Sequence, residues 1–279
     1  VTTEVLRDAH SASAEVLAGG ALEVLRGGGG TAVVAAHLRA GSQEDVPAVA
    51  RGAGERAAVP GVAVAAGAVR ILGADVLAPY LLAGGVLLPE ESEAVCLTLS
   101  ALPPAPSTLP APPQGPEPAW VRAWIDWGLV SVLARLDPAA ASLPLSAPPG
   151  PPRCDEAAPR HRPASGEPGN GGCGEGWVPW SLRMGRLASL ALPGLDGPVH
   201  QAARSGVLAL ARGATRALLR QDYATAARLV RWLAWLTAEG VTLPLDPSLL
   251  TSEIALRGGG ERCMLDAAIA CRLLGLESA

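Results

Sequence analysis

The chain has 279 residues, 49% of them hydrophobic, and a formal net charge of −4. That length accommodates one large domain or two small ones, and a mildly acidic chain with interspersed charges lacks the concentrated basic face that nucleic acid requires. All 22 positive charges are arginine, so a phosphate-loop lysine, a Schiff base and an S-x-x-K acylation site are excluded.

Residue types with GC-rich codons dominate, which points to a high-GC bacterium or a large DNA virus of similar base composition, with Val1 read as a GTG start. The chain has seven Trp, two Tyr and no Phe, so its cores must be aliphatic with tryptophan as the bulky filler. Five scattered cysteines do not form a disulfide framework.

Residues 1–101 read as a small α/β domain. The runs 3–9, 31–38, 61–72 and 94–100 have strand character, while 11–26 and 42–56 have helical spacing and begin at Ser11 and Ser42, both favoured N-cap residues. Strand alternating with helix predicts a small parallel sheet with covering helices. Glu4, Arg7, Asp8 and Glu15 interrupt the apolar core that a signal peptide needs, so a cytoplasmic location is expected. The run 61–88 is long enough to cross a membrane, but Arg70, Asp75 and Pro79 argue against a span.

His10 and His37 then fall near the carboxyl ends of the first two predicted strands, where open α/β sheets place ligands. Asp8 lies two residues before His10 on the same strand face. Two imidazoles and a carboxylate suit a transition metal or acid–base chemistry. The segment Ala9-His10-Ser11-Ala12-Ser13 resembles the first-strand histidine turn of the sirohydrochlorin chelatases, without the glycine that follows the histidine there.

Residues 102–118 form a proline-dense linker. In residues 119–137, Trp120, Trp124 and Trp127 recur at i, i+4 and i+7, which predicts an amphipathic helix with Arg122 and Asp126 on its polar side. A second Pro/Gly-rich linker covers 138–176. Cys154, His161 and Cys173 within it are too few and too widely spaced for a structural zinc site.

Residues 177–279 read as an all-α part built from helical hairpins, with helices at 199–220, 222–239, 247–257 and 261–274. Leu229, Leu233 and Leu236 share one face of the second. Trp235, Arg228 and Arg231 lie opposite and are residue types enriched at binding hot spots. Gly258 to Gly260 precede the last helix, where an anion could meet its N-terminus. Cys263 and Cys271 fall on one helix face and read as core.

No motif names a reaction or a cofactor. The sequence therefore suggests a non-catalytic accessory or adaptor protein that binds a partner protein through Trp235, Arg228 and Arg231. The alternative is a small-molecule enzyme of specialised metabolism using His10, His37 and Asp8.

Overall fold

The computed structural model describes residues 3–30, 32–43, 45–47, 58–102, 104–140, 145–155 and 175–276. Its elements in order are α1 (Thr3–Leu25), α2 (Val33–Gly41), β1 (Asp45–Pro47), β2 (Ala58–Pro60), α3 (Gly61–Leu72), α4 (Ala78–Leu82), α5 (Pro89–Ala101) and α6 (Glu117–Leu136). After them come β3 (Cys154–Asp155), β4 (Glu175–Gly176), α7 (Trp177–Arg186), α8 (Pro198–Ser205), α9 (Val207–Leu219), α10 (Tyr223–Ala238), α11 (Pro247–Arg257) and α12 (Glu261–Leu273). The protein is mainly helical.

The expected parallel sheet in residues 1–101 is not found among the described residues. β1 and β2 are three-residue strands that pair antiparallel, and the two-residue parallel pair β3–β4 lies elsewhere. Residues 3–9 and 61–72 are helix, as are 94–100 and the described part of 31–38 from Val33 onward. Of the helix expected at 42–56, residues 45–47 are strand β1, and residues 44 and 48–56 lie outside the described residues.

The local chemistry explains the difference. In α1, Ala14, Leu17, Ala18, Ala21, Leu22 and Leu25 recur at spacings of three and four, and all are buried. That stripe makes a helix profitable well before Ser11, which becomes an interior residue. In α3 the valines suggested a strand, yet Val64, Ala65, Ala68, Val69 and Leu72 form one buried helical face. The intervening alanines have the best helix propensity, and packing overrides the weak preference of valine. α5 begins with Pro89 in its first turn and Glu90 and Glu91 behind it, a helix-start signature preceding the run 94–100.

A carboxylate from one helix caps another. Glu91 of α5 is fully buried and accepts from the backbone N–H groups of Val34 (2.8 Å) and Ala35 (2.9 Å) at the start of α2. α10 is capped locally, where the Asp222 side chain accepts from Thr225 N.

The described part of the second proline-rich stretch packs by its carbonyls, the one backbone hydrogen-bonding group that proline retains. Pro149 O accepts from the indole N–H of both Trp120 (2.8 Å) and Trp124 (3.2 Å), and Pro152 O accepts from Trp180 (3.1 Å). Residues 156–174 of the second linker, with His161 and Cys173, lie outside the described residues.

One contiguous set of buried apolar side chains runs from Ala14 to Ile269 and includes Trp124 and Leu233. α1 lies against both α3 and α12, and α10 against α7, α9, α11 and α12. The segment Gly61–Leu82 is long and apolar enough to cross a membrane, but 78% of its most apolar window is buried inside the protein. Its two charges have interior partners, described next.

Candidate functional site

A cavity of about 650 Å³ lies where α1, α3, α6, α7, α10 and α12 converge. That volume is typical of pockets for small organic ligands. Its wall is mostly apolar, with Ile71, Val121, Ile125 and Leu265 prominent, and its charged groups are Arg70, Arg122, Arg186, Arg228, Arg262, Asp75 and Asp266. His10 and Ser189 complete the polar lining.

Two glycines shape this space. A Cβ at Gly67 would lie 2.5 Å from His10 Cδ2, so glycine lets α3 approach the α1 imidazole. Gly73 has φ +59 and opens the 3-10 turn Gly73–Leu77 that carries Asp75. Left-handed backbone there costs glycine nothing.

Behind the wall, buried ion pairs bind distant segments. Arg231 is fully buried; its Nη1 donates to Asp266 Oδ1 at 3.0 Å, its Nη2 lies 2.6 Å from Asp75 Oδ1, and its Nε donates to Ala191 O at 3.4 Å. The guanidinium thus ties α10 to α12 and to the turn after α3. Burial works against its charge, but Asp75 and Asp266 outweigh that and hold it above the usual arginine range. Burial also raises the Asp266 pKa, with Arg231 opposing. Arg70 donates through Nε to Asp126 Oδ1 at 2.9 Å and through Nη1 to Leu102 O, while Asp126 Oδ2 accepts from Ala105 N at 2.8 Å. Asp126, expected on the polar side of its helix, is therefore interior.

The remaining cations are less well matched. Arg186 pairs with Glu117 at 3.1 Å, and Arg228 Nε approaches Asp266 Oδ2 only to 3.8 Å. Arg122 at the exposed rim and Arg262 deeper in form no ion pair among the described residues. Burial, and then the neighbouring Arg228, push the Arg262 pKa below the usual arginine range. The charges of Asp266, Glu15 and Asp75 oppose that shift, but none of them forms an ion pair with this half-buried guanidinium among the described residues, so a bound anion would add to its stabilisation. Ser189 is 8% exposed, and its hydroxyl has no hydrogen-bond partner among the described residues.

The sequence-derived candidates separate. His10 lines this cavity, but Asp8 is exposed on α1. His37 lines a different cavity of about 600 Å³, beside Glu23, Arg39 and Glu90, and its Nε2 is 2.9 Å from Ser13 Oγ. Burial lowers the His37 pKa. No cluster of three or more His, Cys, Asp or Glu fit to hold a metal occurs among the described residues. The likeness of residues 9–13 to a strand-borne histidine turn does not carry into the fold, because those residues lie inside α1.

Trp235 and Arg231, expected on a partner-facing surface, are interior. Trp235 is 2% exposed, packed edge-on against Trp232 and close to His200 at centroid distances of 5.7 and 5.1 Å, with the Arg204 guanidinium 4.9 Å above it. With no phenylalanine available, tryptophans fill the C-terminal core, so the face opposite the leucine stripe is buried too. Of the three residues only Arg228 is partly exposed, and it faces the cavity.

The sequence reading missed Ser189, Arg262 and Asp266 as cavity residues. Arg262 and Asp266 did carry a signal, an i, i+4 pair following Gly258 to Gly260. The anion expected at that helix start proves to be internal, since Glu15 Oε2 accepts from Arg262 N at 3.1 Å. Of the two cysteines read as core, Cys263 is buried and Cys271 is only half-buried. Comparison with protein-family models, curated proteins and solved structures gives no match.

Proposed function

We propose that this chain binds a small organic anion with an apolar body in the cavity between α1, α3, α6, α10 and α12. The observation that carries the proposal is Arg262, a half-buried guanidinium without an ion pair among the described residues, in a cavity whose wall is mostly apolar and whose other half-buried cation, Arg228, is only loosely paired. Ser189 supports it, because a buried hydroxyl without a partner is a group a ligand can satisfy.

The reading is one of binding. The Ser189 hydroxyl has no base within hydrogen-bonding reach among the described residues, so it is not set up as a nucleophile. The adaptor reading drew its surface from Trp235, Arg228 and Arg231; Trp235 and Arg231 are interior, and Arg228 alone of the three is partly exposed. His10 carries over from the alternative reading as part of the cavity wall.

The test uses 8-anilinonaphthalene-1-sulfonate, an organic anion with an aromatic body whose fluorescence rises in an apolar site. It should bind saturably, at one molecule per chain. Val121→Trp, which fills the cavity from α6, should abolish the signal while leaving the unfolding transition cooperative. Binding that does not saturate, or that is unchanged by Val121→Trp, contradicts the proposal.

A further inference from the structure

Resting on the cavity reading above, we infer that the bound anion is a monocarboxylate held by Arg262 and Arg228, with an aliphatic or aromatic body lying against Ile71, Val121, Ile125 and Leu265. The charges within the cavity limit what enters. Arg70 is committed to Asp126, Arg186 to Glu117, and Arg231 to Asp75 and Asp266. That leaves Arg262 as the half-buried lining cation without an ion pair among the described residues. Arg228 stands beside it with a 3.8 Å approach to Asp266, longer than a direct hydrogen bond.

A single negative charge therefore matches the site. A second would face the Asp75 and Asp266 carboxylates, which line the same cavity, at the reduced dielectric of an apolar pocket. Phosphate monoesters carry about −1.5 to −2 charges near neutrality and are disfavoured on that ground. A carboxylate presents two oxygens to the planar guanidinium fork, the geometry arginine recognises best. The Ser189 hydroxyl is available for a further hydrogen bond from the same cavity wall. The apolar side chains of α3, α6 and α12 select for a hydrocarbon body rather than a polyol.

The experiment is displacement of bound 8-anilinonaphthalene-1-sulfonate by four compounds with the same ten-carbon chain: decanoate, decyl phosphate, decanol and decyltrimethylammonium. Decanoate should displace the probe at a concentration at least about tenfold below the other three, the margin that one charge-assisted hydrogen bond supplies. Arg262→Gln should weaken decanoate at least about tenfold with little change in the urea midpoint of the ligand-free protein, because its guanidinium forms no ion pair among the described residues. Arg262→Lys should recover only part of the affinity, since lysine keeps the charge and loses the fork. Arg228→Gln, on a different helix, should show the same loss for decanoate and little for decanol.

Decyl phosphate or decanol competing as well as decanoate overturns the carboxylate assignment while leaving the cavity reading standing. Decanoate binding unchanged in both arginine variants overturns the clamp. Absence of saturable probe binding removes the cavity reading and this inference together.

Discussion

Arg231 is the residue on which the interior charge balance turns. A buried guanidinium held by two carboxylates is weak evidence for net stability, since desolvation offsets most of the attraction, but losing one member would leave uncompensated charge inside the protein. In the sequence, Arg231 looked like part of a surface with Trp235 and Arg228, because helical periodicity around Leu229, Leu233 and Leu236 placed all three on the opposite face. Periodicity reports which residues share a face and not whether a second layer covers it. Arg70 and Asp75 counted in the sequence only as charges against a membrane span; in the fold they are interior, and Asp126 and Arg231 are their partners.

His200 gives the residue scale its prediction. It is fully buried, its Nε2–H donates to Leu190 O at 2.9 Å, and its ring lies among Trp127, Trp232 and Trp235. Burial lowers its pKa below the ordinary 6.5; the Leu190 hydrogen bond and the charges of Asp196 and Glu239 oppose that shift, and Arg204 adds to it. The folded protein thus takes up this proton less readily than the unfolded chain. Its contribution to stability is fully present above the ordinary histidine pKa and is lost as pH falls through that value toward the folded one. The urea midpoint should therefore drop between about pH 7 and pH 5. His200→Gln, which keeps a donor for Leu190 O but cannot ionise in this range, should flatten that limb. An acid limb as steep in the variant as in the wild type would contradict this role.

At the scale of the element, the helices of residues 177–279 were the most legible part. The helix expected at 222–239 is Tyr223–Ala238, that at 247–257 is Pro247–Arg257, and that at 261–274 is Glu261–Leu273. Each has a clear stop or start in Asp222, Gly240, Pro247 or Gly275. The expected helix 199–220 is divided at Gly206, where a Cβ would lie 2.3 Å from Trp180 Cη2, a tertiary cause that no local pattern announces. The N-terminal strands failed for a related reason. Alanine–valine runs fit either period, and what decides is the neighbouring helix against which the face packs.

The cap on α2 follows from that packing and can be tested. Glu91→Ala would leave the N–H groups of Val34 and Ala35 without an acceptor in a buried position and would remove the partner of the Tyr80 hydroxyl. The expected loss is about 1–3 kcal/mol in urea unfolding, the cost of buried unsatisfied donors. A loss below about 0.5 kcal/mol, the size of an ordinary surface substitution, would mean that water replaces the carboxylate there.

At the scale of the whole molecule, the cavity is assembled from residues 6 to 266, from nearly one end of the chain to the other. No short-range motif encodes such a site, which explains why sequence reasoning found only His10 and Arg228 of its polar lining. His37 and Asp8 were joined to His10 by an assumed sheet, and without that sheet nothing brings them together. The fold is mainly helical, as the C-terminal reading anticipated, and one contiguous set of buried apolar side chains extends from α1 to α12. α1 lines the cavity with Leu6 and His10 and packs against both α3 and α12.

The central claim is that the Arg262 and Arg228 side chains meet a bound organic anion, and isotope-edited NMR of the arginine Nε–H groups tests it most directly. On titration with 8-anilinonaphthalene-1-sulfonate, the Arg262 and Arg228 signals should shift together and saturate with the fluorescence. Arg204, engaged with Asp196, Glu239 and Trp235, and Arg257, paired with Glu253 on the surface, should not move. Saturable binding that leaves Arg262 and Arg228 unchanged, or that perturbs only arginines outside the cavity, would contradict the account.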